Sequence, residues 1–104
     1  MATQTVTVAR IYLRESEHAL PALLKLLHDE EQVLGVTVLR GIAGFGADGK
    51  LHTASLMDLS LDLPLIVEFF DIQERVDLIL QHITEHIRLP HVISWQAQVH
   101  IPQD

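Results

Sequence analysis

The sequence predicts a single α+β domain over residues 1–104, with elements in the order β-α-β-β-α-β. Three observations predict it. Residues 5–13 and the C-terminal segment alternate with a period of two. Two stretches, at 20–27 and 72–87, place apolar residues at helical spacing. Residues 64–70 form a nearly continuous apolar run of strand length.

In chain order, TVTVARIYL (residues 5–13) alternates and is rich in β-branched residues, so it reads as the first strand. Ser16 stands where a helix N-cap belongs, and Pro21 falls in a first turn, where a missing N–H does no harm. Leu20, Leu23, Leu24 and Leu27 follow at helical spacing, and HDEEQ closes that helix near residue 32. Gly35 ends the connection, and VTVLRGI (36–42) reads as the second strand. The third strand, 64–70, is apolar on both sides, which implies burial of both faces. Asp71 and Glu74 have the spacing of a capping pair. Ile72, Val76, Ile79, Leu80, Ile83 and Ile87 form one stripe of the second helix, and Pro90 stops it. The last strand sets Ile93, Trp95, Ala97, Val99 and Ile101 against Ser94, Gln96, Gln98 and His100. This is the ferredoxin-like arrangement, a four-stranded antiparallel sheet with two helices on one face. The other face is open and partly apolar, and another copy of the subunit is the simplest cover for it.

Composition narrows the function. Of 104 residues 48% are apolar and 5% aromatic, so the core is aliphatic. The net charge is −7 and the seven Lys plus Arg are scattered, which argues against nucleic-acid binding. Protonating all seven histidines would bring the formal charge to 0. The absence of cysteine removes disulfides and thiolate sites and fits a reducing, cytoplasmic setting. MATQTVTVARIYL does not read as a signal peptide, and no window reads as a membrane span.

Four of the five glycines lie in RGIAGFGADGK, residues 40–50. Gly44, Gly46 and Gly49 have the spacing of a dinucleotide turn, but such a turn must open a helix, and LHTAS does not. Lys50 follows Gly49, yet Leu51 stands where a phosphate-binding loop needs Ser or Thr. Two readings remain: a hairpin connection, and an anion nest of backbone N–H groups with Lys50 nearby. His82, Glu85 and His86 spell H-x-x-E-H, a zinc-enzyme pattern, but no glutamate follows to complete it. No serine has a nucleophile signature, so an enzyme is not expected. Asp58 and Asp62 read as part of a strand-entry turn before Pro64, and Glu68, inside the apolar run, calls for a cation such as Arg10 or Arg40.

RGIAGFG, GKLHTASLMDLSLDLP and LIVEFFD, taken together, resemble the family catalogued as domain of unknown function 190, which is similar to the nitrogen-regulatory PII signalling proteins. The resemblance covers residues 5–101 and is most specific over 40–71. It implies a PII-like homotrimer with sheets facing a central axis, and a regulatory role. It also implies that an adenine nucleotide or another small anion binds between subunits, beside Gly44, Phe45, Gly46, Gly49, Lys50, His52 and Thr53. The loop 43–58 would then meet a protein partner. Where PII proteins carry a glycine- and lysine-bearing loop after the second helix, this chain has Arg88-Leu89-Pro90-His91. The competing expectation is a structural trimer that binds nothing, favoured by Leu51, Leu56, Met57 and Leu59 in the loop.

Overall fold

A computed structural model describes residues 1–46, 49–53, 62–89 and 91–102, with only the backbone of His52 and Thr53. Strands β1 (Ala2–Arg14), β2 (Gly35–Arg40), β5 (Pro64–Asp71) and β6 (His91–Ile101) form one antiparallel sheet in the order β2-β5-β1-β6. Helix α1 (Leu20–Lys25) runs on as a π turn over Leu26–Glu30, and α2 spans Gln73–His86. A separate two-residue ladder pairs β3 (Ala43–Gly44) with β4 (His52–Thr53). The expected ferredoxin-like order is therefore observed.

The register explains where each side chain goes. Ala9, Ile11 and Leu13 of β1 stand opposite Phe69, Val67 and Leu65 of β5, and all six are buried. Leu23 and Leu27 of the first helical segment and Val76, Ile79 and Ile83 of α2 close over them. Such a close-packed aliphatic layer is the main source of stability in a chain of this size. Thr7, on the same face, is buried and donates to the Gln73 side chain at 2.6 Å, tying β1 to the first turn of α2.

On the opposite face, Val8, Arg10 and Tyr12 stand beside Phe70, Glu68 and Ile66. The Arg10 guanidinium bonds Glu68 Oε1 through Nη2 at 2.8 Å and Nε at 3.0 Å, and lies 5.3 Å from the Trp95 ring. Glu68 thus has the cation partner its position requires, and it is Arg10. Tyr12 stacks on His91 at 4.8 Å. Ile93, Trp95, Ala97, Val99 and Ile101 pair with Arg10, Val8, Val6, Gln4 and Ala2, so the apolar side of β6 shares this helix-free face.

Several local expectations are corrected. Strand β2 ends at Arg40 rather than residue 42, because Gly41 turns away and Ile42 is 81% exposed. Ser16 is not a helix cap. It lies in a short 3₁₀ turn (Glu15–Glu17), and α1 starts at Leu20 with no side-chain cap, although Pro21 does occupy its first turn. Asp71 does not cap α2 in the expected way, because β5 continues through it and places the cap at Ile72. Its carboxylate accepts the Ile72 N–H at 2.8 Å and pairs with Arg75 at 3.1 Å. Ile72, expected in the buried stripe, is 38% exposed.

Ile79→Ala should lower the unfolding free energy by about 2–5 kcal/mol, as deletion of a fully buried aliphatic side chain does. A shift of the urea midpoint without a change in slope checks this.

Candidate functional site

The sheet topology brings the end of β1, the end of β2 and the start of β5 to one edge. Charges at those termini then meet. Arg14 Nε bonds Asp62 Oδ2 at 3.1 Å, with Nη2 on the same oxygen, while the Ser16 N–H donates to Asp62 Oδ1 at 3.0 Å. Arg40 grips Glu15 with two nitrogens, Nε on Oε1 and Nη2 on Oε2 at 3.3 Å. Glu15 also exchanges backbone contact with Leu63: its N–H donates to the Leu63 carbonyl at 3.1 Å, and its carboxylate faces the Leu63 N–H at 3.5 Å. The result is an ionic clasp across both ends of the segment that links β2 to β5.

The clasp shifts its own titrations. Burial works to raise the Asp62 pKa, but the Ser16 N–H and hydroxyl and the Arg14 guanidinium outweigh it and hold the carboxyl at about 2. The Arg40 guanidinium holds Glu15 below the usual carboxylate range against an opposing contribution from burial. Beside the clasp lies a cavity of about 380 Å³ lined by Arg14, Glu15, His18 and Arg40 and by the apolar Leu20, Pro21, Val38 and Leu65. His18 has a left-handed backbone (φ 54°), an uncommon conformation for a residue other than glycine.

The glycine-rich segment leaves the sheet directly over Pro64. The Gly41 N–H donates to the Pro64 carbonyl at 2.8 Å. A Cβ on Gly41 would lie 2.6 Å from Pro64 Cγ, and one on Gly44 3.1 Å, so the proline ring occupies the space that side chains would need. Gly44 pairs with His52 and Ala43 with Thr53 in the short ladder. Beyond it Phe45 is 74% exposed, Gly46 has open space around it and Gly49 adopts φ 73°. The Gly49 N–H bonds the Gly46 carbonyl at 2.9 Å. Lys50 is exposed. Of the expected site residues, Gly44, His52 and Thr53 are thus brought together along the backbone, with Phe45, Gly46, Gly49 and Lys50 beyond the ladder. Asp58, Leu56, Met57 and Leu59 lie outside the described residues.

The clasp is absent from the sequence expectations, in which Arg40 belongs to a strand, Asp62 to a turn and Ser16 to a cap. The signal was present: once the strand order is 2-5-1-6, the opposite charges at 14, 15, 40 and 62 fall at one edge.

The H-x-x-E-H histidines lie elsewhere, on α2. His82 is half-buried because the π turn after Lys25 comes up against it, and its Nδ1 donates to the Glu31 carboxylate. That contact raises the His82 pKa, against burial, with Glu30 and Glu85 adding to the rise. His86 is exposed. Among the described residues, no set of three His, Asp or Glu side chains is arranged to hold a metal, and no helix is long and apolar enough to cross a membrane.

The fold is that of the PII-like proteins. A model of the DUF190 family, described as uncharacterized ACR, matches residues 6–99, and the chain belongs to that family. It is 34% identical over 86 residues to a UPF0166 protein, MJ1524, of Methanocaldococcus jannaschii, covering 78% of each chain. It is similar in structure to CPII of Thiomonas intermedia K12, solved bound to ADP and bicarbonate, with a TM-score of 0.69, 21% identity, and coverage of 94% and 91% of the two chains. It is also similar to a putative PII-like signaling protein (TTHA0516) of Thermus thermophilus, with a TM-score of 0.63, 17% identity, and coverage of 95% and 91%. At these identities the likeness establishes the fold.

Two measurements test the site. Gly41→Ala should destabilise by about 1–3 kcal/mol because its Cβ collides with Pro64, whereas Gly46→Ala should stay within about 0.5 kcal/mol. Thermal unfolding of the two variants compares them. Asp62 has a depressed folded-state pKa, so its contribution is present above the ordinary value of 3.8 and is lost as pH falls toward about 2. Chemical denaturation from pH 5 down to about 2 should show stability falling through that window, with a shallower fall in Asp62→Asn.

Proposed function

We propose that this chain is a PII-like regulatory module rather than an enzyme. It acts in the cytoplasm as a homotrimer and binds a small anion, an adenine nucleotide first among them, in the cleft between subunits. Gly44, Phe45, Gly46, Gly49, Lys50, His52 and Thr53 contribute the loop side of that site, and the loop 43–58 carries the signal to a protein partner. The observation that carries this reading is the cavity at the loop's root, where Arg14 and Arg40 stand beside both loop ends. Guanidinium groups and backbone N–H groups are the donors that phosphate and carboxylate ligands need. CPII, which shares the fold, was solved with ADP and bicarbonate. The helix-free sheet face supports the trimer: Ile93, Trp95 and Ile101 are each 40–44% exposed there, a display of apolar surface that a second copy would cover.

Titration calorimetry with ADP tests the reading. Saturable heat is expected, with Lys50→Ala weakening binding by roughly tenfold, the scale of one charge-assisted hydrogen bond. Amide exchange in the 43–58 loop should slow on addition of ADP. Absence of heat and of protection with ADP and with bicarbonate would leave the structural trimer, which the exposed Ile42, Phe45 and Leu51 of the loop favour.

A further inference from the structure

We propose that the contact between His82 and Glu31 is a pH-sensitive latch: while the imidazole is charged it fastens the π turn Leu26–Glu30 and the entry to β2 against α2, and that segment loosens as the imidazole loses its proton. The latch is separate from the loop-root site and does not depend on the function proposed above.

A π turn is a rare and poorly self-sustaining conformation, and this one is held from outside. Within the segment the Glu31 N–H donates to the Leu26 carbonyl at 2.9 Å and the Val33 N–H to the Leu27 carbonyl at 3.2 Å. Between those two donors Gln32 has a left-handed backbone, φ 52°, which is unfavourable for a residue other than glycine. Gly35 then opens β2, an edge strand that pairs with β5 alone among the described residues. Leu26 and Leu27 anchor the start of the turn in the core. Its end depends on Glu31, which α2 grips twice. Arg75 Nη2 donates to the Glu31 carbonyl, and Arg75 Nε is itself fixed on Asp71 at 3.1 Å. His82 Nδ1 donates to the Glu31 carboxylate, on a side chain only 16% exposed. Arg75 and His82 are seven residues apart, two turns along one helix face, with buried Ile79 between them.

Of these two grips only His82 titrates near neutrality, because a guanidinium keeps its charge. A carboxylate only accepts, so His82 Nδ1 carries a proton in either state of the ring. The contact is thus a charge-assisted bond below the His82 pKa and an ordinary hydrogen bond, roughly half as strong, above it. The Glu31 bond raises that pKa against burial, and the charges of Glu31, Glu30 and Glu85 add to the rise; Glu30 Oε2 lies 3.9 Å from His82 Nε2. The opposing groups are Arg75 and, when charged, His86, whose ring meets that of His82 edge to face at 4.8 Å. With the folded-state pKa above the ordinary 6.5, the latch contributes fully below 6.5 and its contribution is lost as pH rises through the folded value.

The test follows the full chain by NMR from pH 6 to pH 8. The His82 ring should titrate above 6.5, with a lower midpoint in Glu31→Gln. Protection factors of the Glu31 and Val33 amides should fall by roughly threefold to tenfold across that range. Their exchange should be insensitive to dilute urea, because a local opening exposes little surface. His82→Gln keeps a side-chain donor without a titration, so that variant should fold and show no step in protection. A His82 midpoint at or below 6.5, a step of equal size in His82→Gln, no step in the unmodified chain, or exchange as urea-sensitive as that of the buried Ile11 amide would each overturn the proposal.

Discussion

Everything in this fold depends on β1 and β5 lying side by side in the middle of the sheet with apolar residues on both faces. The pairing of Ala9, Ile11 and Leu13 with Phe69, Val67 and Leu65 makes one core. Two short helical segments are enough to cover it, because they bring Leu23, Leu27, Val76, Ile79 and Ile83 to full burial. The same two strands put Val8, Tyr12, Ile66 and Phe70 on the other side. Helices cannot serve both faces when the described chain supplies only two and both follow right-handed crossovers to the same side. The apolar surplus of the composition is therefore a property of this topology.

Strand β6 sharpens the point. Its polar residues, Ser94, Gln96, Gln98 and His100, are on the helix side and are all exposed, while Ile93, Trp95, Ala97, Val99 and Ile101 face away from the helices and Val92 packs on the core. A strand selected only for a monomer's core would have the opposite polarity. The Arg10–Glu68 pair sits on that outward face, with the guanidinium beside Trp95. Under a covering subunit the pair would lose water and remain tolerable only because each charge already has its partner. It would add little energy to such an interface, and it would restrict the ways two faces could meet, since a displaced register leaves a charge alone.

Much of this was legible in the sequence, and the reason is periodicity. Period two and period 3.6 mark elements that bury one face or one stripe, so the strands at 5–13, 64–70 and 93–101 and the stripe from Val76 to Ile87 could be read directly. Element ends are less legible. Ser16 and Asp71 have the chemistry of caps, but each found another use: the Ser16 N–H bonds Asp62, and the Asp71 carboxylate holds Arg75 and the Ile72 N–H. A cap is a local inference, and these carboxylates and amides were claimed by partners 46 residues away in one case and four in the other. The clasp itself has no local signature. It exists only once four residues distant in sequence are carried to one edge by strand order. The π turn after Lys25, which lifts Glu31 against His82, is likewise invisible to a pattern that counts 3.6 residues per turn.

The clasp and the glycines act on the same problem from two sides. A loop that leaves the sheet after Arg40 and returns at Asp62 must have its ends held close, or closing it costs entropy without return. Arg14–Asp62 and Arg40–Glu15 fix those ends to the β1 turn by charge, and Gly41 lets the backbone pass within contact of Pro64. Exposed ion pairs contribute little to stability singly, but here four groups share one short segment, and Glu15 and Asp62 also accept backbone N–H groups. The loop root is thus ordered by charge-assisted contacts, with both Arg40 nitrogens on the Glu15 carboxylate. An anion that took Arg40 from Glu15 would free the Glu15 carboxylate that faces the Leu63 N–H, so a change at one end of the loop would be felt at the other. Were the proposed anion to bind there, the two ends of the loop would respond together without rearrangement of the sheet that carries it.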